Sequence, residues 1–69
     1  MTSARDTWAS ASEHDRDDVY MVLERAEQEA ATTALYFAEQ GLTDFARYRG
    51  NDAALIRAAI AVLREASKR

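Results

Sequence analysis

The sequence predicts an all-α fold: two long helices joined by a short helical elbow. Two observations support this prediction. The 69-residue chain contains no proline, and its two glycines, Gly41 and Gly50, stand close together. The rest of the chain is rich in Ala, Leu, Glu, Arg and Gln, which are good helix formers. Helix-breaking residues are therefore confined to one short stretch.

The first long helix is predicted over about residues 13–40. It should begin near Ser12 to Asp15, because an acidic cluster at 15–18 suits the positive end of the helix dipole. Gly41 is expected to end this helix in a left-handed conformation, and Leu42 can then fold back on the last turn.

The elbow is predicted over residues 43–49, with Thr43 as its cap and Gly50 as its end. Asn51 or Asp52 would cap a third helix over about 52–67. Its apolar residues form a stripe for the core, opposite a basic side. The members of this stripe are Leu55, Ile56, Ala59, Ile60, Val62, Leu63 and Ala66.

Residues 13–69 are predicted to form a single helical domain, and residues 1–12 a polar segment. Within that segment, Ser3 and Asp6 fit one short turn carrying Trp8, and disorder fits the composition equally well. The first twelve residues hold no apolar run typical of a secretory signal. The longest apolar stretch, residues 58–63, is far shorter than the roughly 20 residues that span a bilayer. We therefore expect a cytoplasmic protein without a membrane partner.

No arrangement of side chains in the sequence is typical of catalysis or of metal binding. The chain has no cysteine and one histidine, His14, which lacks a second ligand at metal-binding spacing. The acidic cluster at 15–18 lacks the glycine and the terminal glutamate of a calcium loop. We expect no enzyme activity, no cofactor and no metal.

The predicted core is thin for an independent domain. Of the 33 apolar residues, 15 are alanines, which bury little area. Domains this small are marginally stable without disulfides, metals or oligomerisation. The sequence therefore predicts a helical dimer, and possible partners are a second copy of the chain and another protein. The predicted interface consists of the alanine-rich seam of the first helix and the apolar residues at its C-terminal end. Its members are Val19, Leu23, Ala26, Ala30, Leu35, Tyr36 and Phe37.

Charge is distributed unevenly along the chain. Residues 1–40 hold nine acids and three bases, a balance of −6, and residues 41–69 hold three acids and six bases, a balance of +3. Their total of −3 argues mildly against a nucleic-acid binder. Such an uneven distribution can orient an antiparallel self-association.

Residues 42–60, LTDFARYRGNDAALIRAAI, resemble the helix-turn-helix of phage-repressor and Cro-type regulators. Ala46 supplies the small residue that the family has in its first helix, and Gly50 supplies the glycine of the turn. Ile56 matches the aliphatic residue that packs the second helix on the first. Two positions depart from the pattern, since Arg49 and Asn51 flank the glycine where the family buries aliphatic residues.

The resemblance implies a DNA-binding surface on the elbow and the third helix. Arg57 would then contact a base or a phosphate, and Arg47, Arg49 and Arg64 would contact the backbone. Alanines 53, 54 and 58 supply no hydrogen-bond donors for base readout. A DNA-binding transcriptional regulator is therefore the alternative hypothesis. The leading hypothesis is a non-catalytic interaction or regulatory module, similar in class to antitoxins, modulators and adaptors.

Overall fold

The structure, a computed structural model, describes residues 3–68 and contains three helices. They are α1 (Ala4–Ser10), α2 (Glu13–Glu39) and α3 (Thr43–Ser67), and the described residues include no strand. The all-α prediction is confirmed. The prediction of two long helices is also confirmed, but a third, short helix lies near the start of the chain, where the sequence left a helical turn and disorder as alternatives. The extreme ends of the predicted segment 1–12 and domain 13–69 lie outside the described residues.

Helix α1 occupies most of the polar N-terminal segment. The Ser3 hydroxyl oxygen caps it by accepting the Asp6 backbone N–H at 3.1 Å. The helix ends at Ala11, whose N–H donates to the carbonyl of Trp8. Of the two alternatives that fit the composition, the structure therefore has the helical turn.

Helix α2 begins and ends where the sequence predicts. The Ser12 hydroxyl oxygen accepts the Asp15 backbone N–H at 3.0 Å and so satisfies one of the unpaired donors of the first turn. At the other end Gly41 has φ of 77°. The Leu42 N–H then donates to the carbonyl of Phe37 at 2.9 Å, which completes a Schellman motif.

The helix break predicted at Gly50 is wrong, and so are the separate elbow at 43–49 and the new helix start at 52. Thr43–Ser67 is one continuous helix whose N-cap residue is Leu42. A glycine inside a helix costs only about 1 kcal/mol relative to alanine, which packing readily offsets. Ion pairs support the helix on either side of Gly50, since Arg47 contacts Asp44 at 2.6 Å and Arg49 contacts Asp52 at 2.9 Å.

Helices α2 and α3 form an antiparallel hairpin. The Phe37 and Phe45 rings lie 5.6 Å apart beside the turn. At the far end the Tyr20 hydroxyl lies 3.1 Å from the Ser67 hydroxyl. Ala30 and Ile60 are the buried apolar residues of the described chain, at 0% and 5% exposure. None of the helices in residues 3–68 is both long enough and apolar enough to cross a membrane.

Candidate interaction surface

The molecule is elongated and exposes more surface than a compact domain of its size. It measures 45 × 21 × 19 Å with a radius of gyration of 14.9 Å, against about 11 Å for a compact 69-residue domain. Its accessible surface is 5438 Å², against about 4,300 Å² for a compact monomer of this mass. A hairpin of two long helices has a core only one layer deep, so side chains that face away from the partner helix stay in water.

Large apolar side chains account for much of this exposed surface. Isolated exposed apolar residues are normal, whereas contiguous ones mark interaction sites. Whether these residues form an interaction site therefore depends on whether they lie on the same face of each helix. The exposed large apolar residues in the described chain are Val19, Met21, Val22, Leu35, Tyr36, Leu42, Phe45, Tyr48, Leu55 and Val62.

Two interhelical ion pairs mark one broad side of the hairpin. Arg57 Nε lies 2.6 Å from Glu27 Oε2, and Arg64 Nη2 lies 2.9 Å from Glu24 Oε1. Because successive helical residues are about 100° apart, the residue two positions before each arginine lies about 160° away on α3. Those residues are Leu55 and Val62. They face away from the ion pairs, on what we call the apolar side.

On α3 the apolar side is lined by a stripe with the spacing of a coiled-coil seam. Steps of three and four residues keep side chains on one face of a helix. The stripe position at 52 is polar, because Asp52 stands there and pairs with Arg49. The apolar members of the stripe are Tyr48, Leu55, Ala59, Val62 and Ala66.

On α2 the same side carries a second stripe. Val22 lies about 160° from Glu24 around the helix, and Tyr36, fourteen residues later, returns to within about 40° of Val22. Glu29 interrupts the stripe and is exposed. The remaining members are Val19, Val22, Ala26, Thr33 and Tyr36.

The two stripes match in level along the hairpin axis. The Glu27–Arg57 contact sets the levels to within about one helical turn, since the Glu24–Arg64 and Tyr20–Ser67 contacts pair residues three or four positions further along α3. Five residues from this contact, in the direction of α1, stand Val22 and Val62. Nine residues from it, in the direction of the turn, stand Tyr36 and Tyr48. Valine therefore flanks valine near one end of the apolar side, and tyrosine flanks tyrosine near the other.

A groove between α1 and α3 extends the apolar side. Its volume is about 380 Å³, and Val62 and Ala66 of the α3 stripe form one wall. Ala4 and Trp8 form part of the other wall, with Arg5 at the edge. An apolar cavity of about 150 Å³ holds a benzene molecule, so this groove has room for aliphatic or aromatic side chains from a partner.

Trp8 holds α1 in place through a polar cluster at the last turns of α3. Its indole Nε1–H donates to the Leu63 carbonyl at 3.0 Å and to the Ser67 hydroxyl oxygen at 2.8 Å. The Ser67 hydroxyl in turn donates to the Leu63 carbonyl. The Trp8 ring meets Tyr20 edge-on at 5.4 Å, and the Arg64 guanidinium lies 5.3 Å from the centre of the Tyr20 ring. These contacts hold α1 against α3 and so fix the position of the groove wall that Ala4 and Trp8 form.

The residues predicted for a dimer interface divide between the inside and the outside of the hairpin. Ala30 is fully buried, and Leu23, Ala26 and Phe37 are half-buried. Val19, Leu35 and Tyr36 are exposed. Leu35 lies eleven residues from Glu24, only about 20° around the helix, and so belongs to the ion-pair side.

The four arginines predicted for nucleic-acid contact are each paired with a carboxylate. Arg47 and Arg49 pair within α3, and Arg57 and Arg64 pair with α2. The turn that the helix-turn-helix resemblance implies at Gly50 is absent, since α3 runs through it. All four pairs are partly exposed, so each stabilises the fold by about 0–1 kcal/mol and competes only weakly with another anion.

No carboxylate or imidazole cluster in residues 3–68 has the composition of a metal site. His14 is 84% exposed in its side chain and lies 3.6 Å from Asp18 on the next turn. The apolar side is therefore the main candidate for function.

Comparison with known proteins gives no match to this chain. No protein-family model matches it, and neither a curated protein nor a solved structure does.

Sequence reasoning placed Leu55 and Val62 in the core, whereas both are among the most exposed apolar residues. Ile56, Ile60 and Leu63 belong to the same predicted stripe and are the members that are buried or half-buried against α2. The sequence feature that could have distinguished the exposed members of this stripe from the buried ones is the width of the apolar surface around α3. One neighbouring helix covers a seam about two positions wide per heptad, and α3 carries roughly twice that. An arc this wide indicates a second contact.

Proposed function

We propose that the chain is a non-catalytic helical protein–protein interaction module that works as a homodimer, in the class of small antitoxins, modulators and adaptors. One observation carries the proposal. The described chain buries two apolar residues, yet it exposes ten large ones. Six of these ten residues share the apolar side, and contiguous exposed apolar surface commonly marks an interaction site.

The energetics of a small domain support self-association. Burying apolar surface stabilises by about 25 cal/mol per Å², so a hairpin with a one-layer core forgoes much of this stabilisation as a monomer. Packing two hairpins together converts two thin cores into one thicker core. Folding and association would then be coupled, as in many obligate homodimers.

The test is the mass of the protein in solution, measured by light scattering coupled to gel filtration. We expect a dimer at tens of micromolar, with a thermal midpoint that rises as the protein concentration rises. A fully helical monomer with a concentration-independent midpoint would contradict the homodimer.

A further inference from the structure

We infer that the apolar side binds the apolar side of a second copy, with α3 of each protomer packed antiparallel against α2 of its partner. The inference rests on the proposed function and adds the face, the pairing of helices and the register to it. The product is a four-helix bundle whose two-fold axis runs parallel to the helices. Both α1 helices then lie at the same end of the bundle.

The apolar side is large enough for a stable dimer interface. The apolar side carries two exposed tyrosines, an exposed leucine and three exposed valines, with alanines between them. With about 150–250 Å² for a complete aromatic side chain, these residues expose on the order of 800 Å². A stable interface of standard size buries about 800 Å² on each partner. A second copy therefore supplies a partner of the required size and chemistry.

The charges of the two long helices decide which helices pair. Helix α2 contains eight acids and two arginines, a balance of −6, and α3 contains three acids and four arginines, a balance of +1. A two-fold axis perpendicular to the helices would set α2 against α2 and bring two balances of −6 together. An axis parallel to the helices sets α2, with its balance of −6, against α3 of the partner, with its balance of +1. Complementary charge favours the second arrangement, since like charges brought together are costly.

The register of the apolar residues along the helix axes fits the same pairing. Rotation about an axis parallel to the helices leaves every residue at its own level. Val22 and Val62 share one level in the hairpin, and Tyr36 and Tyr48 share another. Val22 of one protomer then lies within about one helical turn of Val62 of its partner, and Tyr36 lies within about one turn of Tyr48. Apolar residues thus meet apolar residues at both ends without any shift along the axis.

The groove beside Trp8 fits the same register. Val19 is eight residues from Glu27, and its level partner, eight residues beyond Arg57, is Glu65, which lines the groove together with Ala66. Val19 of one protomer therefore enters the groove of its partner. At this end of the bundle, α1 supplies a second apolar wall beside α3. It thereby widens the apolar surface that contacts the partner.

The experiment uses single-cysteine variants, because the chain has no cysteine of its own. Val22→Cys and Val62→Cys are purified separately, mixed, allowed to exchange and oxidised. The matched control is Val22→Cys mixed with Tyr48→Cys. The Tyr48 and Val62 positions are about 21 Å apart along α3, while a disulfide needs Cα atoms about 4.4–6.8 Å apart. Circular dichroism and light scattering establish that each variant keeps its helices and its mass.

We expect several-fold more covalent dimer from the Val22→Cys and Val62→Cys mixture than from the control mixture or from either variant alone. Val62→Cys crosslinking to itself as readily as in the mixture would overturn the inferred pairing. A non-covalent dimer with no preference among the mixtures would also overturn it. In both of those outcomes the homodimer of the proposed function stands, whereas monomers by light scattering would refute both.

Discussion

Trp8 contributes to the structure through both its ring and its indole N–H. The ring packs edge-on against Tyr20, while the N–H donates to the carbonyl of Leu63 and to the Ser67 hydroxyl. Buried tryptophans usually satisfy their N–H in this way. A seven-residue helix is too short to be stable by itself. The short helix α1 has few other contacts, so it depends on those of Trp8.

Replacement of Trp8 by phenylalanine should isolate the contribution of the N–H. The smaller ring keeps part of the packing, but the Leu63 carbonyl and the Ser67 hydroxyl lose their donor. We expect a loss of about 0.5–1.5 kcal/mol in the free energy of unfolding, measured by urea denaturation. Trp8→Ala should lose more, and Met21→Ala, at an exposed site, should stay within about 0.5 kcal/mol of the parent. Equal stability of Trp8→Phe and the parent would contradict a role for the N–H.

At the scale of a single helix, the two glycines differ in backbone conformation and hence in function. Gly41 has a positive φ of 77° and ends α2. Gly50 lies inside α3, and a Cβ built there would meet no atom within 4 Å. The same residue type is a helix terminator at one position and a tolerated interior residue at the other.

Gly50→Ala should therefore stabilise the protein, and Gly41→Ala should destabilise it. The gain at Gly50 should approach about 1 kcal/mol, since alanine is that much better inside a helix. The loss at Gly41 should be about 1–2 kcal/mol, the cost of a left-handed conformation for a residue with a Cβ. Thermal and urea unfolding measure both. Loss of stability in Gly50→Ala would argue for a helix break at that position after all.

The glycines also show how far the sequence predicts the elements. Ser12 and Gly41 were predicted as the ends of α2 because cap residues act locally, through bonds to the next three or four residues. Gly50 was misread because a sequence does not reveal the sign of φ. The contact between Tyr20 and Ser67, 47 residues apart, was not predictable either, because it depends on the register of the hairpin.

At the scale of the whole molecule, the candidate surface was predicted only in part. The sequence predicts Val19 and Tyr36 as interface residues from α2, whereas it assigns Leu55, Ala59, Val62 and Ala66 of the α3 stripe to the core. Periodicity shows which residues share a face of one helix. It does not show which face meets the neighbouring helix and which is left over, and that assignment required the packing of α2 on α3.

Adjacent residues at the end of α2 offer a matched test of the proposed surface. Tyr36 lies on the apolar side, and Leu35 lies on the ion-pair side. Tyr36→Glu should weaken the dimer and lower the thermal midpoint, because it places a charge in the inferred interface. Leu35→Glu adds the same charge outside it and should leave the dimer mass unchanged by light scattering. The reverse order of effects would place the interface on the ion-pair side.

Binding to DNA should be weak and not sequence-specific. The net charge of −3 opposes the approach of the chain to DNA. Specific readout needs about 1–3 kcal/mol per base pair from hydrogen-bond donors, which the alanines at 53, 54 and 58 lack. Gel-shift titration at physiological salt should show no specific complex. A sharp footprint on one operator that Arg57→Ala abolishes would instead support the DNA-binding regulator.

The position of Trp8 also gives the protein an optical probe of its own. It is the only tryptophan in the chain, and it reports on the contact between α1 and the last turns of α3. Circular dichroism, by contrast, is dominated by the 52 residues of α2 and α3 (27 and 25, respectively). Release of α1 should shift the fluorescence emission to longer wavelength while the helical signal persists. Local opening at the groove can therefore be separated from global unfolding without any added label.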